Sequence, residues 1–114
     1  YRDLGQPVLV PGSMGTSSWI LLGKSNSMDL SFGSTAHGAG RTMSRSKARR
    51  NFTEDNVKKS LNDKGIFIKA LTRDGVVEET PEAYKDVDSV VNVSHNLGIA
   101  TKVAKLVPIG VIKG

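Results

Sequence analysis

The stretch that most constrains the fold places one histidine among closely spaced glycines: GSTAHGAGRTMSRSKARR, residues 33–50. Glycine loses more conformational freedom on folding than any other residue, so a glycine cluster is tolerated where the backbone must come very close to another group. The same stretch then becomes cationic, with Arg41, Arg45, Lys47, Arg49 and Arg50. We therefore expect a close-approach loop whose neighbour is an anion.

Charge and composition limit the classes of function for these 114 residues. Lysine and arginine number 16 against 11 acidic residues, and the net charge of +5 favours nucleic acid or phosphorylated ligands. The absence of cysteine excludes disulfides and thiolate metal sites. The two histidines, His37 and His95, lie far apart, so we expect no zinc or manganese site built from this chain alone.

The sequence indicates neither a membrane span nor a signal peptide. We therefore expect a soluble, cytoplasmic protein with no membrane partner. The length fits one domain or part of one. The chain opens at Tyr1 rather than at methionine, which leaves open whether it is a processed piece or a segment of something larger.

The first half of the chain predicts two strands followed by a helix. Short apolar runs at 6–10 and 17–22 flank the glycine-rich turn PGSMGT, which favours paired strands. Residues 23–29 form a polar turn cluster. Beyond the glycines, a helix is expected to begin near Thr42.

The second half predicts a helix over 53–65, with Thr53 as its N-cap and a glycine at its end. The runs at 66–71 and 76–79 flank TRDG, which favours a hairpin turning at Asp74-Gly75.

A third helix is expected over 81–98, where proline opens and glycine closes a stripe that includes Tyr84, Val87 and Leu97. The tail, residues 101–114, is apolar, is broken by Pro108 and Gly110, and is expected to be extended. Together these elements predict an α+β fold of mixed strands and helices. His95 is expected to be exposed or to cap a helix, with no further role.

The motif HGAGR, residues 37–41, is the best candidate for chemistry. Gly38 and Gly40 leave room beside His37 for a large ligand, and consecutive amides can face a phosphate. Arg41 precedes an expected helix start, where a guanidinium attracts an anion. The alternative is a glycine-rich surface loop with an incidental histidine.

Two other loops share features with phosphate sites. Residues 10–18, VPGSMGTSS, can donate backbone N–H groups to a phosphate, or can be an ordinary hairpin turn. LLGKS at 21–25 is not a P-loop, because Ser18 stands where that motif needs glycine and no helix follows directly. The cations of residues 45–50 fit either a solvated helix surface or a contact with an RNA backbone.

Four segments together resemble, in order and spacing, the C-terminal part of the RtcB family of RNA ligases, most closely its archaeal members: GQPVLVPGSMGTSSWIL, FGSTAHGAGRTMSR, PEAYKDVDSVV and PIGVIKG. The likeness runs over residues 1–114, so we interpret the chain as a partial domain, the guanylate-accepting C-terminal portion of a larger RtcB-type α/β fold. Ala36 and Trp19 depart from the residues common in the family, without removing an expected functional group.

The resemblance implies GTP- and manganese-dependent sealing of broken RNA, as in tRNA splicing and RNA repair. An RNA end with a 3′-phosphate or 2′,3′-cyclic phosphate is joined to a 5′-hydroxyl end through a guanylylated histidine, which His37 matches. Arg41 matches a phosphate-contacting arginine. By the same matching, guanylate-binding positions are Pro11, Gly12, Ser13, Met14, Ser18, His37, Gly38, Ala39, Gly40, Tyr84 and Lys113.

The resemblance also limits what this chain does alone. The family's manganese ligands lie upstream of the matched region, so no metal ligand is assigned here, and the isolated piece is expected to be inactive. The expected partners are RNA, GTP and, as a further option, an activating protein. Two rival hypotheses are a non-catalytic basic RNA-binding module and a segment that only completes the fold of a larger subunit.

Overall fold

A computed structural model describes all of residues 1–114, which form a mixed α+β arrangement with two small sheets. The fold class expected from the sequence is confirmed. No helix combines the length and the apolar character needed to cross a membrane. In chain order the elements are β1 Pro7–Val10, β2 Ser18–Gly23, α1 Ser27–Ser31, α2 Arg45–Asn51, α3 Glu54–Asp63, β3 Phe67–Ala70, α4 Arg73–Val77, a 3-10 helix Pro81–Ala83, α5 Val87–Asn96, β4 Ala100–Leu106 and β5 Gly110–Lys113.

The first sheet is antiparallel, in the order β1-β2-β4. Strands β1 and β2 pair from Pro7 with Leu22 to Val10 with Trp19, which confirms the two predicted strands and the turn between them. The pairing of β2 with β4 shifts register between Ile20 and Leu21. This sheet therefore fixes both ends of the PGSM loop, residues 11–17, which connects β1 to β2.

The second sheet pairs β3 with β5 in parallel, with Phe67 opposite Gly110 and Ala70 opposite Lys113. The tail is thus extended, as expected. Parallel strands need a long connection, and here the chain between β3 and β5 includes α4, α5 and β4. The register brings Lys113, near the chain's end, back toward the middle of the molecule.

The predicted hairpin over 66–71 and 76–79 is wrong in its second strand. Residues 73–77 form α4, because the Thr72 side chain accepts a hydrogen bond from the Gly75 N–H at 3.1 Å and caps the helix. The helix buries Val76 and Val77 fully. In a half-exposed strand these consecutive side chains would point to opposite faces, and one of them would be exposed to solvent. The sequence DG was therefore a misleading turn signal.

The predicted helix over 81–98 is divided in two. A 3-10 turn covers Pro81–Ala83, and α5 begins only at Val87, where the Asp86 carboxylate accepts hydrogen bonds from the N–H groups of Asp88 and Ser89. Between them Tyr84 is extended and forms an isolated antiparallel bridge with Arg41. The helical position expected for Tyr84 is therefore wrong, since strand-like pairing holds it instead.

The remaining helix predictions differ in detail. Helix α3 begins after Thr53, whose side chain accepts from the Asn56 N–H at 3.3 Å, and Gly65 follows it with φ of +75°. Both predicted caps are confirmed. Helix α2 begins at Arg45, three residues later than the expected start at Thr42, because Ser44 is the capping residue. The expected polar turn at 23–29 contains the start of α1.

Two apolar clusters form the core. One packs the β1-β2-β4 sheet against α5 and includes Val10, Leu21, Ala39, Val87, Val91 and Ala100. The other packs α3 and α4 near the β3-β5 sheet and includes Met14, Val57, Leu61, Ile66 and Val76. Ala39 lies in the loop around His37, residues 35–41, which is the histidine loop. Ala39 belongs to the first cluster and Met14 of the PGSM loop to the second, so both loops are anchored by burial.

Replacing Leu61 with alanine tests the second cluster. Leu61 is fully buried (0% exposed), so Leu61→Ala is expected to reduce the free energy of unfolding by about 2–5 kcal/mol through lost burial and a residual cavity. Leu71→Ala is the matched control, because Leu71 is 82% exposed and its loss is expected to stay within about 0.5 kcal/mol. Guanidinium unfolding followed by circular dichroism measures both, and equal losses would contradict the assigned core.

Candidate functional site

The His37 ring lies exposed on a loop that is fixed on both sides. Before it, the Thr35 hydroxyl hydrogen-bonds the Ser94 hydroxyl of α5 at 2.8 Å. After it, the buried Ala39 donates its N–H to the Pro11 carbonyl oxygen at 2.9 Å. The ring itself has neither a hydrogen-bond partner nor an ion-pair partner within the chain. Its two nitrogens are therefore open to a ligand.

The backbone around His37 presents unused donors. The N–H groups of His37, Gly38 and Gly40 donate to no acceptor within the chain, whereas the Ala39 N–H between them is bonded to Pro11. Gly40 has φ of +74°, a conformation that glycine adopts without strain. Unpaired backbone N–H groups at a turn form a concavity suited to an anion.

The PGSM loop lies directly against the histidine loop. A Cβ atom added to Gly38 would meet the Pro11 carbonyl oxygen at 3.3 Å, which shows how closely the two backbones approach. Within the loop, the Gly12 N–H donates to Ser18 Oγ at 3.3 Å and the Ser13 N–H donates to Thr16 Oγ1 at 2.7 Å. The structure thus places Pro11 against the loop of His37, and hydrogen bonds within the PGSM loop hold Gly12, Ser13 and Ser18.

Met14 has a different surrounding from its neighbours in the loop. It is buried, at 5% exposure, in the cluster that includes Val57 and Leu61. Its side chain therefore anchors the loop in the core. The predicted contact between Met14 and a nucleotide stays a prediction, and the Met14 backbone would have to make it.

Arg41 connects the histidine loop to the segment that carries Tyr84. The Thr42 N–H donates to the Ala83 carbonyl at 2.8 Å and the Lys85 N–H donates to the Gly40 carbonyl at 2.9 Å, so the two segments pair as short strands. The Arg41 guanidinium lies over the Tyr84 ring, with 4.9 Å between its Cζ and the ring centroid. Such a cation–π contact stabilises both side chains in place.

The guanidinium of Arg41 is largely occupied by the chain's own acceptors. Its Nε donates to the Met43 carbonyl at 3.0 Å, and its Nη2 donates to the Glu78 carbonyl at 2.6 Å. Its Nη1 donates to the Tyr84 hydroxyl at 3.1 Å. The predicted contact of Arg41 with a phosphate stays a prediction, and such a phosphate would have to share these donors.

Glu79 is the residue that the sequence analysis missed. The Tyr84 hydroxyl donates to its Oε2, and Lys113 Nζ lies 4.0 Å from the same oxygen. Its other oxygen lies 3.5 Å from Arg41 Nη1 and 3.6 Å from Arg45 Nε. One carboxylate thus gathers three residues predicted to bind ligand. The adjacent acids in VVEET, opposite in charge to residues 41–50, were the available signal.

Burial raises the pKa of the Tyr84 phenol above its ordinary value, and the hydrogen bond and negative charge of Glu79 raise that pKa further. The Arg41 guanidinium acts in the opposite direction. The phenol therefore stays protonated at neutral pH and acts as a donor to Glu79.

The cations of α2 divide into two groups. Arg49 donates to the Glu78 carboxylate, and Arg45 Nε lies 3.5 Å from the other oxygen of that group. Lys47 and Arg50 are exposed and have no ion pair within the chain. An approaching polyanion would therefore meet these two first.

The chain brings together no group of three or more histidine, cysteine, aspartate or glutamate side chains able to hold a metal ion. His95 is exposed on α5, and its Nδ1 accepts a hydrogen bond from the Lys102 N–H at 3.4 Å. His37 is the histidine without such a contact.

The largest cavity, of about 570 Å³, does not coincide with the predicted site. Gly33, Ser34 and Thr35 contribute to its wall, together with Lys24 and Met28, but His37 does not. The predicted site is instead an open surface formed by two loops.

Comparison with known proteins shows one family. The family model described as tRNA-splicing ligase RtcB matches residues 1–114. The protein named tRNA-splicing ligase RtcB from Nanoarchaeum equitans is 54% identical over 114 residues, which are all of this chain and 24% of the relative. Its namesake from Archaeoglobus fulgidus is also 54% identical with 24% covered, and that from Pyrococcus horikoshii is 53% identical with 13% covered. The chain thus spans a quarter or less of these relatives.

Substituting Gly12 tests the geometry of the PGSM loop. A Cβ atom there would lie 2.0 Å from the Ser17 carbonyl oxygen, so Gly12→Ala forces the backbone apart. We expect the free energy of unfolding to fall by about 1–3 kcal/mol. Gly110→Ala is the control, since its Cβ would meet its nearest atom at an ordinary 3.5 Å. Denaturant unfolding that ranks the two variants equally would contradict the loop geometry.

The pKa of Tyr84 predicts a pH dependence of stability. Since the folded-state pKa is raised above the unfolded value, the stabilisation is complete below the unfolded pKa of about 10 and is lost as pH rises through the folded pKa. Tyr84→Phe removes this contribution. The difference in unfolding free energy between wild type and Tyr84→Phe should therefore shrink above about pH 10; a constant difference would contradict the raised pKa.

Proposed function

We propose, from the premise that the chain belongs to the RtcB family of tRNA-splicing ligases, that it is the guanylate-accepting C-terminal region of an RNA ligase. The whole protein would join an RNA 3′-phosphate or 2′,3′-cyclic phosphate end to a 5′-hydroxyl end at the expense of GTP. The substrates would be tRNA halves or other broken RNAs, in the cytoplasm.

The first step uses the free ring of His37. A neutral ring nitrogen attacks the α-phosphorus of GTP, a P–N bond forms, and the bond from that phosphorus to the bridging oxygen breaks, so that pyrophosphate leaves. The proton on the other ring nitrogen stays with the ring. The amides of His37, Gly38 and Gly40, which have no acceptor in the chain, are suited to charge on the phosphoryl oxygens.

The later steps transfer and release GMP. A 3′-phosphate oxygen of the RNA attacks the same phosphorus and frees the imidazole, which is a good leaving group when its ring carries a proton. A 2′,3′-cyclic end enters this sequence after water has opened it to a 3′-phosphate. The 5′-hydroxyl of the second RNA then loses its proton to water and its oxygen attacks the activated 3′-phosphorus. A phosphodiester bond forms, the bond from that phosphorus to the oxygen linking it to GMP breaks, and GMP leaves with that oxygen.

The observation that carries this proposal is the exposed, partner-free imidazole on a loop of unused amides. The Pro11 carbonyl oxygen accepts the Ala39 N–H at 2.9 Å, and Tyr84 and Lys113 both contact Glu79. These contacts support a nucleotide site assembled from separate segments.

Manganese, which the resemblance implies, would neutralise the triphosphate and assist departure of pyrophosphate. The donor set of this chain does not fit such an ion, because its two histidines are in unlike settings and no acidic cluster adjoins His37. We therefore assign the metal ligands to the remainder of the protein, and infer that the 114 residues alone do not ligate RNA.

The second candidate is a non-catalytic RNA-binding module, which the unpaired cations Lys47 and Arg50 favour. It predicts salt-sensitive RNA binding that does not depend on His37. It also predicts that no covalent guanylate forms.

His37→Ala in the full-length protein tests the proposal. With α-³²P-labelled GTP and manganese, wild type should acquire acid-labile, hydroxylamine-labile label, and His37→Ala should acquire none, because the nucleophile is gone. His95→Ala is the matched control and should keep the label. Label that persists in His37→Ala would refute the assignment, and wild type without label would favour the RNA-binding module.

A further inference from the structure

We propose that Glu79 is a positioning residue of the nucleotide site, whose carboxylate holds Tyr84, Lys113 and Arg41 in the arrangement that receives guanylate. This inference rests on the proposed function for the identity of the ligand. The observation behind it, four groups from four segments on one carboxylate, is independent of that function.

Glu79 is well placed for this role because its side chain is only 22% exposed and contacts separate parts of the fold. It follows α4, while Arg41 belongs to the histidine loop and Arg45 opens α2. Tyr84 lies before α5, and Lys113 lies in β5. The carboxylate therefore connects the β3-β5 sheet, α2 and the segment before α5 to the histidine loop.

The geometry fixes the direction of the Tyr84 hydroxyl. Its single proton is donated to Glu79 Oε2, and its oxygen accepts from Arg41 Nη1 at 3.1 Å. With the ring also lying against the Arg41 guanidinium, both the ring plane and the hydroxyl are held before a ligand arrives. Preorganised side chains lose less entropy on binding, which raises affinity.

The charge of Glu79 also keeps three cations close together. Arg41, Arg45 and Lys113 each have a nitrogen within 4.0 Å of it, and without a shared anion these groups would repel one another. Removing the charge is thus expected to displace the most mobile of them. Lys113 is that residue, since its contact with Glu79 is its one ion pair and its stem is flexible.

The neighbouring Glu78 provides a matched control. Its carboxylate pairs with Arg45 and Arg49 but contacts neither Tyr84 nor Lys113. Glu78→Gln and Glu79→Gln therefore remove the same charge from adjacent positions of one acidic pair. An effect common to both reflects the net charge of the surface, whereas an effect confined to Glu79 reflects the arrangement of Tyr84 and Lys113.

The test measures guanylylation of His37 in the full-length protein as a function of GTP concentration. For Glu79→Gln we expect the KM for GTP to rise about tenfold or more, the loss typical of a charge-assisted contact, with the maximal rate changed much less. Glu78→Gln should stay within about twofold of wild type. An unchanged KM in Glu79→Gln, or an equal rise in both variants, overturns the proposal.

A second readout does not need activity. With ¹³C-labelled tyrosine in the full-length protein, the Tyr84 signal is identified by its loss in Tyr84→Phe, and its pKa is followed by NMR. Because Glu79 favours the protonated phenol, that pKa should fall in Glu79→Gln and not in Glu78→Gln. Should Glu79→Gln fail to fold, Glu79→Asp, which keeps the charge but is one methylene shorter, takes its place, with the rise in KM as the expected result.

The two readouts distinguish the two proposals. If wild type acquires no label from GTP, the proposed function fails, and the NMR titration still decides whether Glu79 holds Tyr84. If wild type is labelled but the KM and the Tyr84 pKa are the same in Glu79→Gln, only the role of Glu79 fails.

Discussion

Two backbone hydrogen bonds, from Thr42 to Ala83 and from Lys85 to Gly40, join the histidine loop to the segment before α5. The rest of the candidate site depends on this pairing. It sets Tyr84 opposite Arg41, and it interrupts what would otherwise be a longer helix. Because the pairing uses main-chain groups, it does not depend on the identity of the side chains that it brings together. The pairing therefore places no restriction on what the side chains of Arg41 and Tyr84 contact. His37 lies in the short loop between the fixed residues Thr35 and Ala39.

Two kinds of interaction hold the candidate site together. Burial places the loops: Ala39 packs in the cluster of the first sheet, and Met14 packs in the cluster beneath α3 and α4. Polar contacts orient the side chains around Glu79. Hydrophobic burial has no preferred direction, so it can fix a loop in space but cannot aim a phenol or an ammonium group. The carboxylate supplies that direction, and it does so where partial burial makes each hydrogen bond stronger than it would be in water.

The sequence was sufficient for features that depend on neighbouring residues. The cap at Thr53, the glycine at position 65 and the first two strands are all set by local chemistry, and these predictions are confirmed. It failed where distant segments decided the outcome. Residues 73–77 turned out helical because Val76 and Val77 pack together into the core, and β3 took β5 as its partner from across the chain. The candidate residues came from the resemblance, and their assignment to guanylate stays a prediction. The acids of VVEET indicated a counter-charge for the cations, but not that Arg41, Tyr84 and Lys113 meet at Glu79, since these positions span more than seventy residues of sequence.

The cations of α2 lie on two faces of the helix with different surroundings. Arg45 and Arg49 are four residues apart, so they lie on one face, and that face is turned to the Glu78 carboxylate beside α4. Lys47 and Arg50 are three residues apart and lie on another face, which is exposed. Partly exposed ion pairs such as that of Arg45 contribute at most about 1 kcal/mol, so their main effect is to reduce positive charge near the histidine loop. The unpaired face keeps its full charge and attracts a polyanion over a range of about 10 Å at ordinary salt. The outer face of α2 thus keeps its positive charge, while the charge nearest to Tyr84 and Lys113 is balanced by two glutamates.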